Sequence, residues 1–188
     1  MGPPYEVCLE WVTAALAPSG IANIAMATSP EQIVSELPRS DAVFIGGGNT
    51  YSLLHALRTN RADRLLRRSV TGGIPVYGGS AGAHLLGRDV DTSRHADPND
   101  VGLTDTTGLD LALGYAIWCH HVPGQVPRIR DFVAETGYEV IAIPERSGLA
   151  RIGQAIMVIG PEPATVFGPT GVRAVEAGDL VPVAANLR

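Results

Sequence analysis

The chain has 188 residues, of which 45% are apolar and 18% charged, and its formal net charge is −5. A chain of this length and apolar content buries one sizeable core, so we expect a single domain over residues 1–188. The net negative charge argues against the basic surface of a nucleic-acid-binding protein. No apolar run reaches the roughly 18 residues of a membrane span. Two cysteines and no leader-like start predict a reduced, cytoplasmic protein without a disulfide framework.

Apolar periodicity and turn residues predict helices that alternate with short strands along the first half of the chain. Ser29 and Pro30 are typical of a helix start, and the continuous apolar run at 42–45 is typical of a strand buried on both faces. The predicted helices cover residues 5–16, 30–37, 50–70 and 81–86, and the predicted strands cover 21–27, 42–45 and 74–77.

A polar, Asp-rich stretch without a clear period occupies residues 88–108, and a stretch of that length in a compact domain is usually a functional loop. Beyond it we predict a strand at 115–119, a helix at 127–136 and a strand at 139–143. Strands that alternate with helices indicate an α/β fold with a mainly parallel sheet flanked by helices. Short β-like segments near the C-terminus predict an antiparallel addition, at 149–152, 155–159 and 164–167.

The first candidate for chemistry is Ser80, in the run Gly78-Gly79-Ser80-Ala81-Gly82. This run matches the G-x-S-x-G nucleophile elbow, which holds a serine on a tight turn between a strand and a helix. Glycines let the backbone cross there, and the helix N-terminus offers N–H groups to a developing oxyanion. A plain glycine-rich turn without chemistry is the alternative that the motif alone leaves open.

A second glycine loop, Gly46-Gly47-Gly48-Asn49, also follows a predicted strand and opens a predicted helix. It matches neither the dinucleotide-binding nor the P-loop pattern, so we expect no nucleotide cofactor. Glycines here would let a main-chain N–H approach a substrate carbonyl closely. The other interpretation is a tight turn with Asn49 as helix N-cap, and both can hold at once.

Two further candidates follow the ends of later strands. His120 lies just past the strand at 115–119, with His121 as a neighbouring candidate, and Glu145 follows the strand at 139–143. In an open α/β sheet, ligands bind at the carboxyl ends of the strands. A nucleophile, a base, an acid and backbone donors on one edge are what acyl transfer requires.

A metal site is the weaker interpretation of the same sequence. The histidines show no HExxH motif and no ligand spacing, and the Asp-rich stretch lacks the order of an EF-hand. We therefore expect neither a metal nor a cofactor. The histidines are His55, His84, His95, His120 and His121.

These residues resemble a known family. The run from Ala42 to Tyr51, the block Gly79-Ser80-Ala81-Gly82-Ala83 and Ile143-Pro144-Glu145 are similar to serine peptidase family S51, the peptidase E type of aspartyl dipeptidase. The resemblance implies a class I glutamine amidotransferase-like (flavodoxin-like) three-layer sandwich and a cytoplasmic dipeptidase that cleaves short peptides. It also implies a triad and an acyl-enzyme, with Ser80, His120 and Glu145 as the triad and with Gly48 and Ala81 as oxyanion donors.

Three departures from the family pattern bear on specificity. The chain starts one or two strands later than family members usually do, which suggests a fold shortened at the N-terminus. His95 stands where aspartyl dipeptidases carry an Asp, and Gln125 stands where an arginine is usual. A cation for a substrate aspartate would then have to come from Arg94, Arg128 or Arg146. The resemblance thus gives Asn49, His95, His121, Gln125 and Arg128 as substrate-binding candidates.

Other functions remain open at this point. A cyanophycinase-like hydrolase shares the serine and glycine blocks, and a non-catalytic amidotransferase-like binding module would keep only the fold. A glutamine amidotransferase is disfavoured, because its nucleophile is Cys where this chain has Ser80. A homodimer is one way to cover an exposed sheet edge.

Overall fold

The computed structural model describes residues 5–184, and these separate into two units. The first unit comprises residues 5–43 and 56–75, and the second comprises 44–55 and 76–184. The predicted single domain over 1–188 stays a prediction, and its first and last four residues lie outside the described residues.

The first unit is mainly helical. Its elements include α1 (Tyr5–Leu16), α2 (Pro30–Glu36) and, following α3 (Thr50–Thr59) in the chain, α4 (Ala62–Thr71). At the start of α2 the Ser29 hydroxyl accepts the Gln32 N–H at 3.3 Å, as the sequence predicts for an N-cap.

The predicted strand at 21–27 is wrong, because the structure assigns no regular element to these residues. Ile21 is 44% exposed, and the described backbone hydrogen bonds give residues 21–27 no strand partner. A short apolar run becomes a strand only where a neighbouring strand can pair with it.

Short strands and helices surround the glycine blocks. In chain order they are β1 (Val43–Ile45), α3 (Thr50–Thr59), β2 (Val76–Gly78) and α5 (Ala81–Leu86), and β1 and β2 form a two-stranded sheet. The helix predicted at 50–70 is instead two helices, α3 and α4, because the backbone of Arg61 takes a left-handed φ of 57°. Sequence analysis missed this break because neither Gly nor Pro marks it.

The second unit contains a mixed four-stranded sheet and a hairpin. Its strands are β3 (Ala116–Trp118), β4 (Val140–Ala142), β7 (Ala164–Gly168) and β8 (Gly171–Val175), in that spatial order. β3 and β4 are parallel and joined through α6 (Val126–Thr136), whereas β7 and β8 add antiparallel strands. β5 (Gly148–Ile152) and β6 (Ala155–Ile159) form the hairpin. The α/β fold class is confirmed.

The core of this unit lies on both faces of the sheet. Ile117 and Cys119 pack in one apolar cluster, while Ala116 and Trp118 pack in the other, against Phe132 of α6. Side chains therefore alternate between the two faces of the sheet from Ala116 through Cys119. Because β3 and β4 are buried on both faces, their sequences are continuous apolar runs. Polar residues appear only where these strands end.

Among residues 5–184, no helix is both long enough and apolar enough to cross a membrane.

Candidate active site

Ser80 sits on a strained turn between β2 and α5. Its φ of 53° and ψ of −113° lie outside the regions that ordinary residues populate. Glycines make the turn sterically feasible, because a Cβ at Gly82 would come within 2.3 Å of the Ile45 carbonyl oxygen. A Cβ at Gly78 would in turn come within 2.6 Å of the Gly82 oxygen. The backbone thus has the geometry of the predicted elbow.

His120 reaches Ser80 through a bulge at the end of β3. The Ile143 N–H donates to the Trp118 oxygen, and the next ladder bond runs from the N–H of His121, not His120, to the Ile143 oxygen. One extra residue between two ladder bonds is a β-bulge, which re-aims a side chain. His120 has a φ of 55°, and its Nε2 lies 2.9 Å from the Ser80 Oγ.

Glu145 fixes the orientation of this imidazole. It follows β4 after Pro144, and its Oε2 accepts a hydrogen bond from the His120 Nδ1. Because a carboxylate only accepts, Nδ1 carries the proton and Nε2 is left to accept from the Ser80 hydroxyl. The His120 and Glu145 side chains are 53% and 74% exposed, so solvent screens their charges.

The glycine loop at 46–49 lies beside Ser80. A Cβ at Gly47 would stand 3.5 Å from the Ser80 Cβ and 3.8 Å from its Oγ. Gly48 has a φ of +133°, which favours glycine. In the described part of the chain, no backbone hydrogen bond is made by the N–H of Gly48 or of Ala81. Both donors are therefore available to an oxygen atom.

A model of peptidase family S51 matches residues 9–159. The chain belongs to peptidase family S51. It is 29% identical over 177 residues to a peptidase E of Shewanella putrefaciens, which covers 87% of this chain and 72% of that protein. A peptidase E of Streptomyces coelicolor is 29% identical over 144 residues, which are 71% of this chain and 58% of that protein.

A solved structure shares the fold. The crystal structure of a peptidase from an acI-B1 Actinobacterium superposes with a TM-score of 0.71 at 17% identity. The match covers 94% of this chain and 76% of that one. The family model and the peptidase E relatives confirm the predicted resemblance to the S51 family.

His95 lies against β3, the strand that precedes His120. Its ring stacks on Trp118 at 4.3 Å between centroids and 8° between planes. Its Nδ1 donates to the Thr92 oxygen at 3.1 Å, which leaves Nε2 as an acceptor. Burial lowers the pKa of His95 below its ordinary value, and the charge of Arg128 lowers it further.

The other substrate-binding candidates have contacts of their own. The side-chain Oε1 of Gln125 accepts from Trp118 Nε1 at 3.2 Å and from the Val122 N–H at 3.1 Å. The His121 ring packs edge-on against Phe167, and burial lowers the pKa of His121. The Asn49 amide caps α3 by accepting the Ser52 N–H at 2.8 Å, as the N-cap interpretation predicts.

Cys119 lies close to Ser80, but it is buried. The thiol is 7% exposed and contacts the Ser80 carbonyl oxygen at 3.6 Å. Burial raises the pKa of Cys119 to about 12, so the thiol stays protonated near neutral pH.

Sequence analysis missed two polar groups behind the site. His84, four residues after Ser80 on α5, is 5% exposed and donates from Nδ1 to the Ile117 oxygen at 2.9 Å. Burial lowers the pKa of His84 to about 4. Asp97 accepts two hydrogen bonds from Thr50. The position of His84 on the helix that follows Ser80 was a usable signal, but nothing in the sequence pairs Thr50 with Asp97.

Proposed function

We propose that this chain is a serine-type dipeptidase of the peptidase E kind, acting on dipeptides or short peptides. The observation that carries the proposal is the continuous hydrogen-bonded series from Ser80 Oγ to His120 Nε2 and from His120 Nδ1 to Glu145. A hydroxyl, an imidazole and a carboxylate in that order are the groups of a serine hydrolase. The curated relatives named peptidase E add independent support.

The reaction starts with Ser80. Its Oγ attacks the peptide carbonyl carbon while His120 Nε2 takes the hydroxyl proton. The carbonyl oxygen becomes an oxyanion between the N–H groups of Gly48 and Ala81. His120 then gives its proton to the leaving amine as the C–N bond breaks, and an ester to Ser80 remains.

Water completes the cycle. His120 takes a proton from water as the water oxygen attacks the ester carbonyl, and then returns that proton to Ser80 Oγ as the acid leaves. Glu145 holds the Nδ1 proton throughout and stabilises the positive charge of His120 in both steps, without itself being protonated.

An acidic first residue in the substrate would need a cation beside the proposed triad. Arg94 is already paired with Glu135 at 2.7 Å and lies 3.5 Å from Asp91. Arg128 is exposed, and its positive charge lowers the pKa of His95, which packs against β3. We therefore propose Arg128 as the group that pairs with an N-terminal Asp in place of the arginine that Gln125 replaces.

A cyanophycinase-like hydrolase is the second candidate. The open position of the His120 and Glu145 side chains, 53% and 74% exposed, favours it because a polymer backbone needs an unobstructed approach. A cytoplasmic location and a homodimer stay predictions.

Hydrolysis of Asp-X, Glu-X, Ala-X and Arg-X dipeptides by wild type and Ser80→Ala tests the proposal. We expect turnover that is lost in Ser80→Ala and kept in Ser35→Ala, which alters an exposed helix serine. Retained turnover in Ser80→Ala contradicts the mechanism. Cleavage of an aspartyl polymer without cleavage of any dipeptide transfers the assignment to the second candidate.

A further inference from the structure

We propose that Asp97 is a positioning residue that holds the glycine loop, Gly46–Asn49, in the geometry needed to stabilise the oxyanion. The inference rests on the proposed function, since it assigns Asp97 a role in the same reaction. Asp97 acts through the loop and not as a triad member, because Glu145 already occupies the Nδ1 of His120.

The contact between Asp97 and Thr50 is part-buried and consists of two hydrogen bonds. Thr50 is 0% exposed, and both its N–H and its hydroxyl donate to the Asp97 Oδ2, at 2.9 and 2.5 Å. Thr50 is the first residue of α3, where a backbone N–H has no partner within the helix. A carboxylate at this position is also favoured by the helix dipole.

A second contact lies directly beside the first. The Asn49 amide nitrogen donates to the Pro98 carbonyl oxygen at 2.8 Å. Consecutive residues Asn49 and Thr50 are therefore bound to consecutive residues Pro98 and Asp97. We call these two contacts the 49/50–97/98 clasp.

The clasp ties the Asn49 end of the glycine loop, where α3 begins, to residues 97 and 98. At the other end, the Gly46 oxygen accepts the Gly82 N–H at 3.2 Å. Between these ends, Gly47 and Gly48 have no side chains to hold them, and glycine backbone is permissive. The direction of the Gly48 N–H therefore depends on the two anchored ends of the loop, Gly46 at one end and the 49/50–97/98 clasp at the other.

The same segment carries His95. Only Ala96 separates it from Asp97, and its ring covers Trp118, two residues before His120. The clasp therefore connects the glycine loop, which lies beside Ser80, to the segment of His95, which packs against Trp118 of β3. Loss of Asp97 would free both the glycine loop and the segment that carries His95. Loss of a neighbouring exposed carboxylate would free neither of them.

Kinetics of Asp97→Ala and Asp97→Asn, with Asp100→Ala as matched control, test the role. Asp100 is exposed in the same loop. Removal of one oxyanion donor costs about 10²–10³ in kcat, so a misdirected donor in Asp97→Ala should lower kcat by about 10–100-fold. We expect kcat to fall by a larger factor than KM rises, because the oxyanion forms only in the transition state. Asp97→Asn keeps an acceptor oxygen and should recover most of the rate.

A peptide aldehyde separates positioning from a merely structural role. Ser80 adds to the aldehyde carbon, and the aldehyde oxygen becomes an oxyanion in the same site. Asp97→Ala should weaken aldehyde binding by about the same factor as kcat and leave binding of the product amino acid unchanged. Equal losses for aldehyde and product, or an unchanged kcat, overturn the proposal.

Hydrogen exchange of the backbone amides at 46–50 supplies a readout that needs no turnover. In a Ser80→Ala background, Asp97→Ala should speed exchange of this segment about tenfold or more, and Asp100→Ala should not. Unchanged exchange overturns the clasp even if the enzyme is active. Faster exchange in a chain without Ser80-dependent turnover keeps the clasp and overturns the proposed function instead. If Asp97→Ala does not fold, Asp97→Asn and Thr50→Val are compared in the same way.

Discussion

The side chains of Ser80 and His120 meet at 2.9 Å although β2 and β3, the strands that precede them, belong to different sheets. Both residues have a backbone φ in the left-handed region, 53° for Ser80 and 55° for His120. Conformations of this kind cost about 1–3 kcal/mol each and persist only where the surroundings impose them. Close glycine packing imposes the first and the β3–β4 ladder imposes the second, so the backbone itself aligns the pair.

Replacement of Gly82 by alanine should disrupt the turn that carries Ser80. The new Cβ would stand 2.3 Å from the Ile45 carbonyl oxygen, and neither backbone can move without shifting Ser80. We expect a loss of about 1–3 kcal/mol in the free energy of unfolding and a large loss of turnover. Urea unfolding and dipeptide hydrolysis measure both. Gly124→Ala is the control, since a Cβ there meets nothing within 4 Å, and equal behaviour of the two variants would refute the steric argument.

Glu145→Gln should lower kcat by about 10²–10³-fold with little change in KM. The amide can donate to His120 Nδ1, which moves the imidazole proton to Nε2 and leaves Ser80 without an acceptor. Steady-state kinetics of the variant measure this, with Glu176→Gln, an exposed change elsewhere, as control. A kcat within about threefold of wild type would show that Glu145 does not orient the base.

Acid should destabilise the fold through His84. Burial lowers its folded-state pKa to about 4 from an ordinary value near 6.5, so the unfolded chain binds the extra proton first as pH falls. Stability from this group is full above pH 6.5 and is lost between pH 6.5 and pH 4, by about 2–3 kcal/mol.

Urea unfolding at pH 7.5 and 4.5 measures this loss in wild type and His84→Asn. The variant keeps a donor for the Ile117 oxygen but has no titrating group, so its stability should depend less on pH. His55→Asn, at an exposed histidine, should behave as wild type. The same pH dependence in His84→Asn and wild type would contradict the assignment.

Arg128→Gln should raise KM for Asp-X about tenfold relative to Ala-X, the effect of losing one charge-assisted contact. Turnover of Ala-X should stay unchanged, because none of the described hydrogen bonds joins Arg128 to Ser80, His120 or Glu145. Parallel kinetics with both substrates measure the ratio, and Arg130→Gln, exposed on the same helix, is the control. An unchanged ratio would mean that another group recognises the substrate side chain.

Features encoded by local backbone chemistry could be predicted from the sequence. The glycines around Ser80 mark a tight turn wherever the rest of the chain lies, and apolar runs mark β3 and β4. Residues that follow those runs, His120 and Glu145, could therefore be placed at strand ends. Their catalytic roles stay predictions that the experiments above address.

Features that depend on a distant partner could not be predicted. The bulge at His120 exists only in register with Ile143 of the neighbouring strand. Thr50 and Asp97 lie 47 residues apart, and Asp97 falls in a stretch without periodicity. The strand predicted at 21–27 failed for the same reason, because pairing and not apolar content decides a strand.

Reaction with a fluorophosphonate, followed by intact-mass and peptide mass spectrometry, tests the central claim most directly. The account predicts one adduct, on Ser80, that is absent in Ser80→Ala and forms at least about 10²-fold more slowly in His120→Ala, because the base is lost. Labelling of Ser35→Ala should match wild type. An unlabelled wild-type Ser80, or an equal rate in His120→Ala, would contradict a serine activated by His120.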